Sequence, residues 1–190
     1  MNPILERYLM SRTIDPAKLP TSISDALRLH PGLKHPSGGI WPAMVGKFTP
    51  IEGITDEACG IHRTFLAHDG SGKAPVEPQK MMLGNVKGAV IKLSPDEEVT
   101  TGLGICEGIE TALSILAAGW APVWACGSAG TIRDFPVLQG VESLTVFADA
   151  DEAGIKAAKT CRSRWQAAGH ECSIILPPVD GTDWNDVRAA

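Results

Sequence analysis

Three short acidic stretches hold the residue types that could do chemistry in this 190-residue chain. They are Cys106-Glu107-Gly108-Ile109-Glu110, Phe147-Ala148-Asp149-Ala150-Asp151-Glu152 and Asp180-Gly181-Thr182-Asp183-Trp184-Asn185-Asp186. Each follows a run of β-formers, so each acid lies just past the carboxyl end of a strand, where α/β sheets bind their ligands. If the first two strands are neighbours, Glu107, Asp149 and Asp151 converge at one edge. Carboxylates that close raise one another's pKa unless a cation neutralises them. An all-oxygen donor set suits Mg²⁺ or Mn²⁺ rather than zinc. Such ions polarise phosphoryl oxygens and hold attacking and leaving groups in line, as in polymerases and nucleases. Asp183 and Asp186 could take a second metal. The plainer alternative is capping: Asp149 or Asp151 as N-cap of a helix starting near Glu152, and the last acids as a cap with a favourable first turn.

The elements that must position these acids fall into two halves. Residues 2–29 alternate apolar and charged positions at helical spacing around Pro16 and Pro20, which predicts two short helices and a linking turn. Residues 31–50, rich in Gly and Pro, read as a loop leading into a strand. A strand over Ile61 to Leu66, a turn at His68 to Gly72 and a second strand within Gly88 to Leu93 make this half a small α+β unit. From Gly102 the rhythm changes to alternating strands and helices. The strands are Leu103–Cys106, Pro122–Cys126, Leu144–Ala148 and Cys172–Leu176. The helices lie over Thr111–Ala117, Thr131–Phe135, Glu152–Ala168 (stopped by Gly169) and Asp183–Ala189. That pattern predicts an α/β domain, a mainly parallel sheet with helices on both faces. The division is expected at Asp96, giving units 1–96 and 97–190.

Composition excludes several classes. The chain is 44% hydrophobic and 21% charged, enough for a sizeable core. A net charge of −5 argues against a surface that grips nucleic acid all over, but not against a local basic groove. No apolar run reaches the roughly 20 residues of a membrane helix, and the first residues lack a signal-peptide pattern, so a cytoplasmic protein without membrane association is expected. The five cysteines form no Cys-x-x-Cys and no zinc-ligand spacing, so no zinc is expected. Cys106, Cys126 and Cys172 read as small core residues.

CEGIETAL, FADADEAGIKAA and the terminal GTDWNDV together resemble the Toprim domain shared by bacterial-type primases, type IA and II topoisomerases, OLD-family nucleases and RecR-like proteins. The Asp149-to-Ala158 continuation and the terminal acids are most similar to the primase branch, including plasmid- and phage-borne primase-like proteins. The resemblance implies Glu107, Asp149 and Asp151 as catalytic and principal metal ligands, with Asp183 and Asp186 as accessory acids. Asn185 stands where primases often carry another acid. GIHRTFL and KMMLGNVKGAVIKL resemble the smaller subdomain that precedes Toprim in primases. There a basic residue after a strand and a Lys before the sheet face template and nucleotide phosphates, which implies such roles for Arg63 and Lys80, with Lys73 in reserve.

The resemblance thus implies an Mg²⁺- or Mn²⁺-dependent DNA primase-like nucleotidyltransferase that takes single-stranded DNA and nucleoside triphosphates. The rivals are a Toprim-class nuclease and a non-catalytic DNA-binding replication module. A strand-passing topoisomerase is not expected: Tyr8 is the only tyrosine, and the large DNA-gate domains of such enzymes are absent from the sequence. The absence of a zinc ribbon and of a Walker-type motif points to a helicase or another replication protein as partner, or to a longer chain. Among the remaining residues, Trp41, Trp120, Trp124 and Trp165 read as packing residues, Lys156 as an exposed lysine, and no histidine has metal-ligand spacing. Gly127-Ser128-Ala129-Gly130 is a turn that could cradle a phosphate.

Overall fold

In the computed structural model, which describes residues 1–51, 53–54 and 59–177, local signals set most element ends. Asn2 caps helix α1 (Pro3–Ser11) by accepting from the Ile4 N–H at 3.0 Å, and Leu5, Tyr8 and Leu9 at i, i+3 and i+4 form its buried stripe. A 3₁₀ turn at Pro16–Lys18 and a single helical turn α2 (Ile23–Ala26) follow. Helical spacing ends there, for β1 runs over Leu27–Lys34.

The loop expected from residue 31 is therefore corrected, while the strand expected to follow it is present. β1 pairs antiparallel with β2 (Ile40–Pro50), and the register shifts between His30 and Leu33. Pro31 and Gly32 occupy that irregularity, the position where a strand tolerates residues that cannot keep the ladder. A second strand absent from the expectation is β4 (Lys80–Asn85). It pairs with β3 (Cys59–Phe65), which in turn pairs with β2.

Strand β5 (Ala89–Lys92) joins the halves. It pairs antiparallel with the last residues of β2 on one side and with β7 (Val123–Ala125) on the other. Beyond it, β7, β6 (Gly102–Cys106), β8 (Ser143–Phe147) and β9 (Glu171–Ile175) run parallel. The order β4-β3-β2-β5-β7-β6-β8-β9 is one continuous sheet, with β1 alongside β2.

Helices cover both faces of the parallel half, as expected. Helix α3 (Ile109–Ala117) is almost wholly buried and shares a core with α1, in which Leu5, Tyr8 and Leu9 join Ile109, Leu113, Met44, Phe48 and Phe147. The short α4 (Ala129–Arg133) and the long α5 (Glu152–Ala167) cover the opposite face, where Leu103, Ile105, Leu144 and Val146 meet Ile132, Ala157, Cys161 and Trp165. Helix α5 buries Gly154, Ala157, Ala158, Cys161 and Trp165, a stripe at helical spacing. Because α3 packs on α1, the two halves share one core.

Candidate active site

Strands β6 and β8 are direct parallel neighbours with Cys106 opposite Phe147, so Glu107 and Asp149 leave the sheet side by side. Since β6 is followed by β7 on one side and β8 on the other, Glu107 stands where the strand order reverses, the usual binding crevice of an open α/β sheet. Glu107 and Asp149 are half-buried and Asp151 is exposed. The three carboxyls feel one another: burial raises the Glu107 pKa, and the charges of Asp149 and Asp151 raise it further.

Two local devices fix these acids. Asp151 is the N-cap of α5, its Oδ1 accepting from the Gly154 N–H at 2.6 Å, so the capping alternative holds for this residue. The cap uses one carboxylate oxygen, Oδ1. Glu107 is gripped by the Gly127–Gly130 turn, whose Gly127 N–H donates to the Glu107 carbonyl at 2.8 Å and whose Ala129 N–H donates to its carboxylate. That turn braces an acid. Gly127 adopts φ +80°, and a Cβ there would lie 2.8 Å from Phe48 and 2.9 Å from Met82, so the brace itself is wedged against the first half of the chain.

The first half contributes its charges to the same edge. Lys80, at the start of β4, donates to Glu110 Oε2 at 3.1 Å and lowers the Glu107 pKa through its charge. Lys73 acts on Glu110 as well. Arg63 is placed differently. Side chains alternate along β3, so Arg63 lies on the face opposite His62 and Thr64, over the Phe65 ring at 5.9 Å and donating to the Met82 carbonyl at 3.3 Å. Lys80, opposite Thr64 in the ladder, shares the His62 face.

Sequence reasoning assigned no role to three residues that the structure sets into this edge. Glu110, only 2% exposed, accepts from the Tyr8 hydroxyl at 2.8 Å as well as from Lys80. Burial opposes its ionisation, but Lys80, the backbone N–H at its own position, Lys73 and Tyr8 outweigh that and bring its pKa down to about 2. His62 is buried on the same side. Burial lowers its pKa to about 4, Glu110 opposes this, and Lys80, Arg63 and Lys73 reinforce it. The Glu107–Glu110 spacing of one helical turn was the available sign for Glu110. Tyr8 and His62 gave none.

Among the other expected residues, burial pushes the Cys106 and Cys126 thiols up, as suits small core residues. Trp120 packs on Phe147, Trp124 and Trp165 are buried, and Lys156 is exposed. Asp183 and Asp186, and the helix expected there, lie outside the described residues.

Among the described residues, no three His, Cys, Asp or Glu side chains already enclose a point that could hold a metal. The donor set nevertheless fits a hard divalent cation. It is all oxygen, it comes from adjacent strand ends, and Glu107, whose pKa is raised first by burial and then by the charges of Asp149 and Asp151, is a carboxylate whose ionised form a nearby cation favours.

The C-terminal half of the chain is a Toprim domain: residues 102–190 match that family, and residues 2–93 match a domain of unknown function, DUF7146. In fold the chain is close to the catalytic cores of bacterial primases. It superposes on the RNA polymerase domain of Mycobacterium tuberculosis primase DnaG in complex with double-stranded DNA with a TM-score of 0.57, 17% identity, and coverage of 98% of this chain and 68% of that one. For the Aquifex aeolicus primase, comprising zinc-binding and RNA polymerase domains, the values are 0.56, 16%, 97% and 52%. For a DnaG primase catalytic domain bound to single-stranded DNA they are 0.52, 13%, 96% and 68%. The chain thus spans about half the length of the Aquifex protein. No curated protein matches its sequence. Among the described residues, no helix is long and apolar enough to cross a membrane.

Proposed function

We propose that this protein is a primase-like nucleotidyltransferase that joins nucleotides into a short primer on single-stranded DNA. The observation that supports this reading is that Glu107 and Asp149 follow the ends of neighbouring parallel strands, with Asp151 and Lys80 near enough for their charges to act on Glu107. The fold shared with primase cores supports it, and one of those cores was bound to single-stranded DNA.

On this reading the division of the chain falls at Asp96, and the site is the strand-end edge where Lys80 of the first half comes near Glu107 of the second. Glu107, Asp149 and Asp151 would hold Mg²⁺ or Mn²⁺, with Asp183 and Asp186 as accessory ligands. Such an ion, when bound, supplies phosphoryl polarisation and favours the ionised 3′-hydroxyl. Lys80 and Lys73 seat the triphosphate by charge, and Arg63, on the other face of β3, is left for the template backbone. The Ala129 N–H holds the Glu107 carboxylate in place.

Incubation with single-stranded DNA, labelled nucleoside triphosphates and Mn²⁺ tests the proposal. Extended labelled products support it. Template shortening without them indicates the nuclease alternative, and binding with neither product indicates a non-catalytic replication module.

A further inference from the structure

Resting on that reading, we infer that Glu110 is a positioning residue, held by Tyr8, that fixes the Lys80 ammonium beside the strand-end carboxylate Glu107. The three groups come from distant parts of the chain: Tyr8 from α1, Lys80 from the start of β4, and Glu110 from the first turn of α3. Tyr8 and Glu110 are 0% and 2% exposed, whereas the Lys80 side chain is 39% exposed. One end of the network is therefore sealed in the core and the other reaches solvent on the side of Glu107. The Tyr8 hydroxyl takes Oε1 and Lys80 takes Oε2, so each carboxylate oxygen has its own donor and the head group cannot rotate without breaking one of them.

The arrangement is asymmetric in a way that favours positioning over simple stabilisation. A buried carboxylate needs partners, and two nearby donors from one element would meet that need. Here the second donor is a long, half-exposed lysine whose four-carbon stem otherwise samples many rotamers. Holding it removes that freedom before a ligand arrives, and pre-organisation of a cation is what a triphosphate site requires. The lysine keeps donor capacity, since an ammonium has three N–H bonds and Glu110 takes one.

The test uses the full chain and two readouts. Acylation of Lys80 by an amine-reactive ester, followed by peptide mass spectrometry, reports the tether without any nucleotide. An amine committed to an ion pair reacts slowly, so Glu110→Gln should label at Lys80 several-fold faster than wild type. The glutamine still accepts from Tyr8 through its amide oxygen but offers Lys80 no charge. Tyr8→Phe should move the same rate in the same direction by less, and serves if the first variant folds poorly. In the second readout, Glu110→Gln should raise the KM for ATP in Mn²⁺ by about tenfold with kcat little changed, an effect of the size that supporting residues commonly have. It should add nothing to Lys80→Ala.

A residue that only stabilised the fold would lower the melting temperature, leave Lys80 labelling unchanged and add its effect to that of Lys80→Ala, and that result overturns the inference. If the wild type neither binds nor incorporates nucleotide, the primase reading fails, and the labelling arm still decides whether Glu110 holds Lys80.

Discussion

A Cβ atom placed on Gly154 would sit 2.7 Å from the Asp149 carbonyl oxygen and 3.2 Å from Asp151 Oδ1. The first turn of α5 therefore closes over the aspartate pair with no room for a side chain. This is why glycine follows the aspartates at a position where helix propensity disfavours it by about 1 kcal/mol relative to alanine. Propensity alone predicts that Gly154→Ala stabilises the protein. The backbone oxygen cannot move aside as a flexible side chain would, and overpacking of this kind costs about 1–3 kcal/mol. The clash wins. Gly154→Ala should lower stability in a denaturant titration and, on the primase reading, lower primer synthesis by shifting Asp149.

The two aspartates separate by substitution. Asp151 caps α5, and asparagine caps as well as aspartate does, so Asp151→Asn should keep the stability of the fold while losing activity. Asp151→Ala should lose about 1 kcal/mol in addition. Asp149 lies beside Glu107 and helps raise its pKa, so Asp149→Asn removes a repelling charge. Its melting temperature should equal or exceed that of wild type while activity disappears. A marked loss of stability in Asp149→Asn would assign Asp149 a structural role.

How far the sequence discloses this site depends on whether the signal is local. The apolar runs of β6 and β8, the Asp151 cap and the helical stripe of α5 each sit within a few residues of the acids they position, and all are visible without coordinates. Strands β1 and β4 are not. Pro31 and Gly32 disguise the first as a loop, and the second is exposed along nearly its whole length, so neither shows a buried alternation. Both are strands because β2 and β3 pair with them, which is non-local information. The same holds for Glu110. Its place one turn after Glu107 is plain, but its partners lie 102 and 30 residues away, and nothing near it announces them.

Divalent cations should stabilise the fold by binding. Ligand present at 100 times its dissociation constant adds about 2.7 kcal/mol to a state that alone binds it. Thermal melts with increasing Mg²⁺ or Mn²⁺ should show a rise that a chelator reverses and that calcium, with its longer bonds and looser geometry, need not reproduce. The rise should vanish in Asp149→Asn and in a Glu107→Gln variant. Equal rises in wild type and both variants would place any bound ion elsewhere.

His62 sets a pH dependence of stability whose sign follows from its burial. Its pKa is about 4 in the folded protein, against the ordinary 6.5 of an exposed imidazole in the unfolded chain, because burial penalises the charged ring; Glu110 opposes this, and Lys80, Arg63 and Lys73 reinforce it. Between these values the unfolded chain carries the extra proton, so unfolding takes up a proton and stability rises with pH across that window. The contribution is complete above pH 6.5, is lost as the pH falls toward 4, and is flat below. A shift of this size corresponds to a change on the order of 3 kcal/mol from end to end. Glu110 does not obscure it, for its pKa is about 2, and its own contribution falls away only as the pH drops from 4.5 to that value. Chemical denaturation of wild type from pH 7.5 to 4.5 should therefore show falling stability, and His62→Gln, which has no titrating ring, should show a shallower fall over the same interval. Parallel curves for the two proteins would mean that the imidazole titrates alike in the folded and unfolded chains, and so is not shielded by its burial on β3.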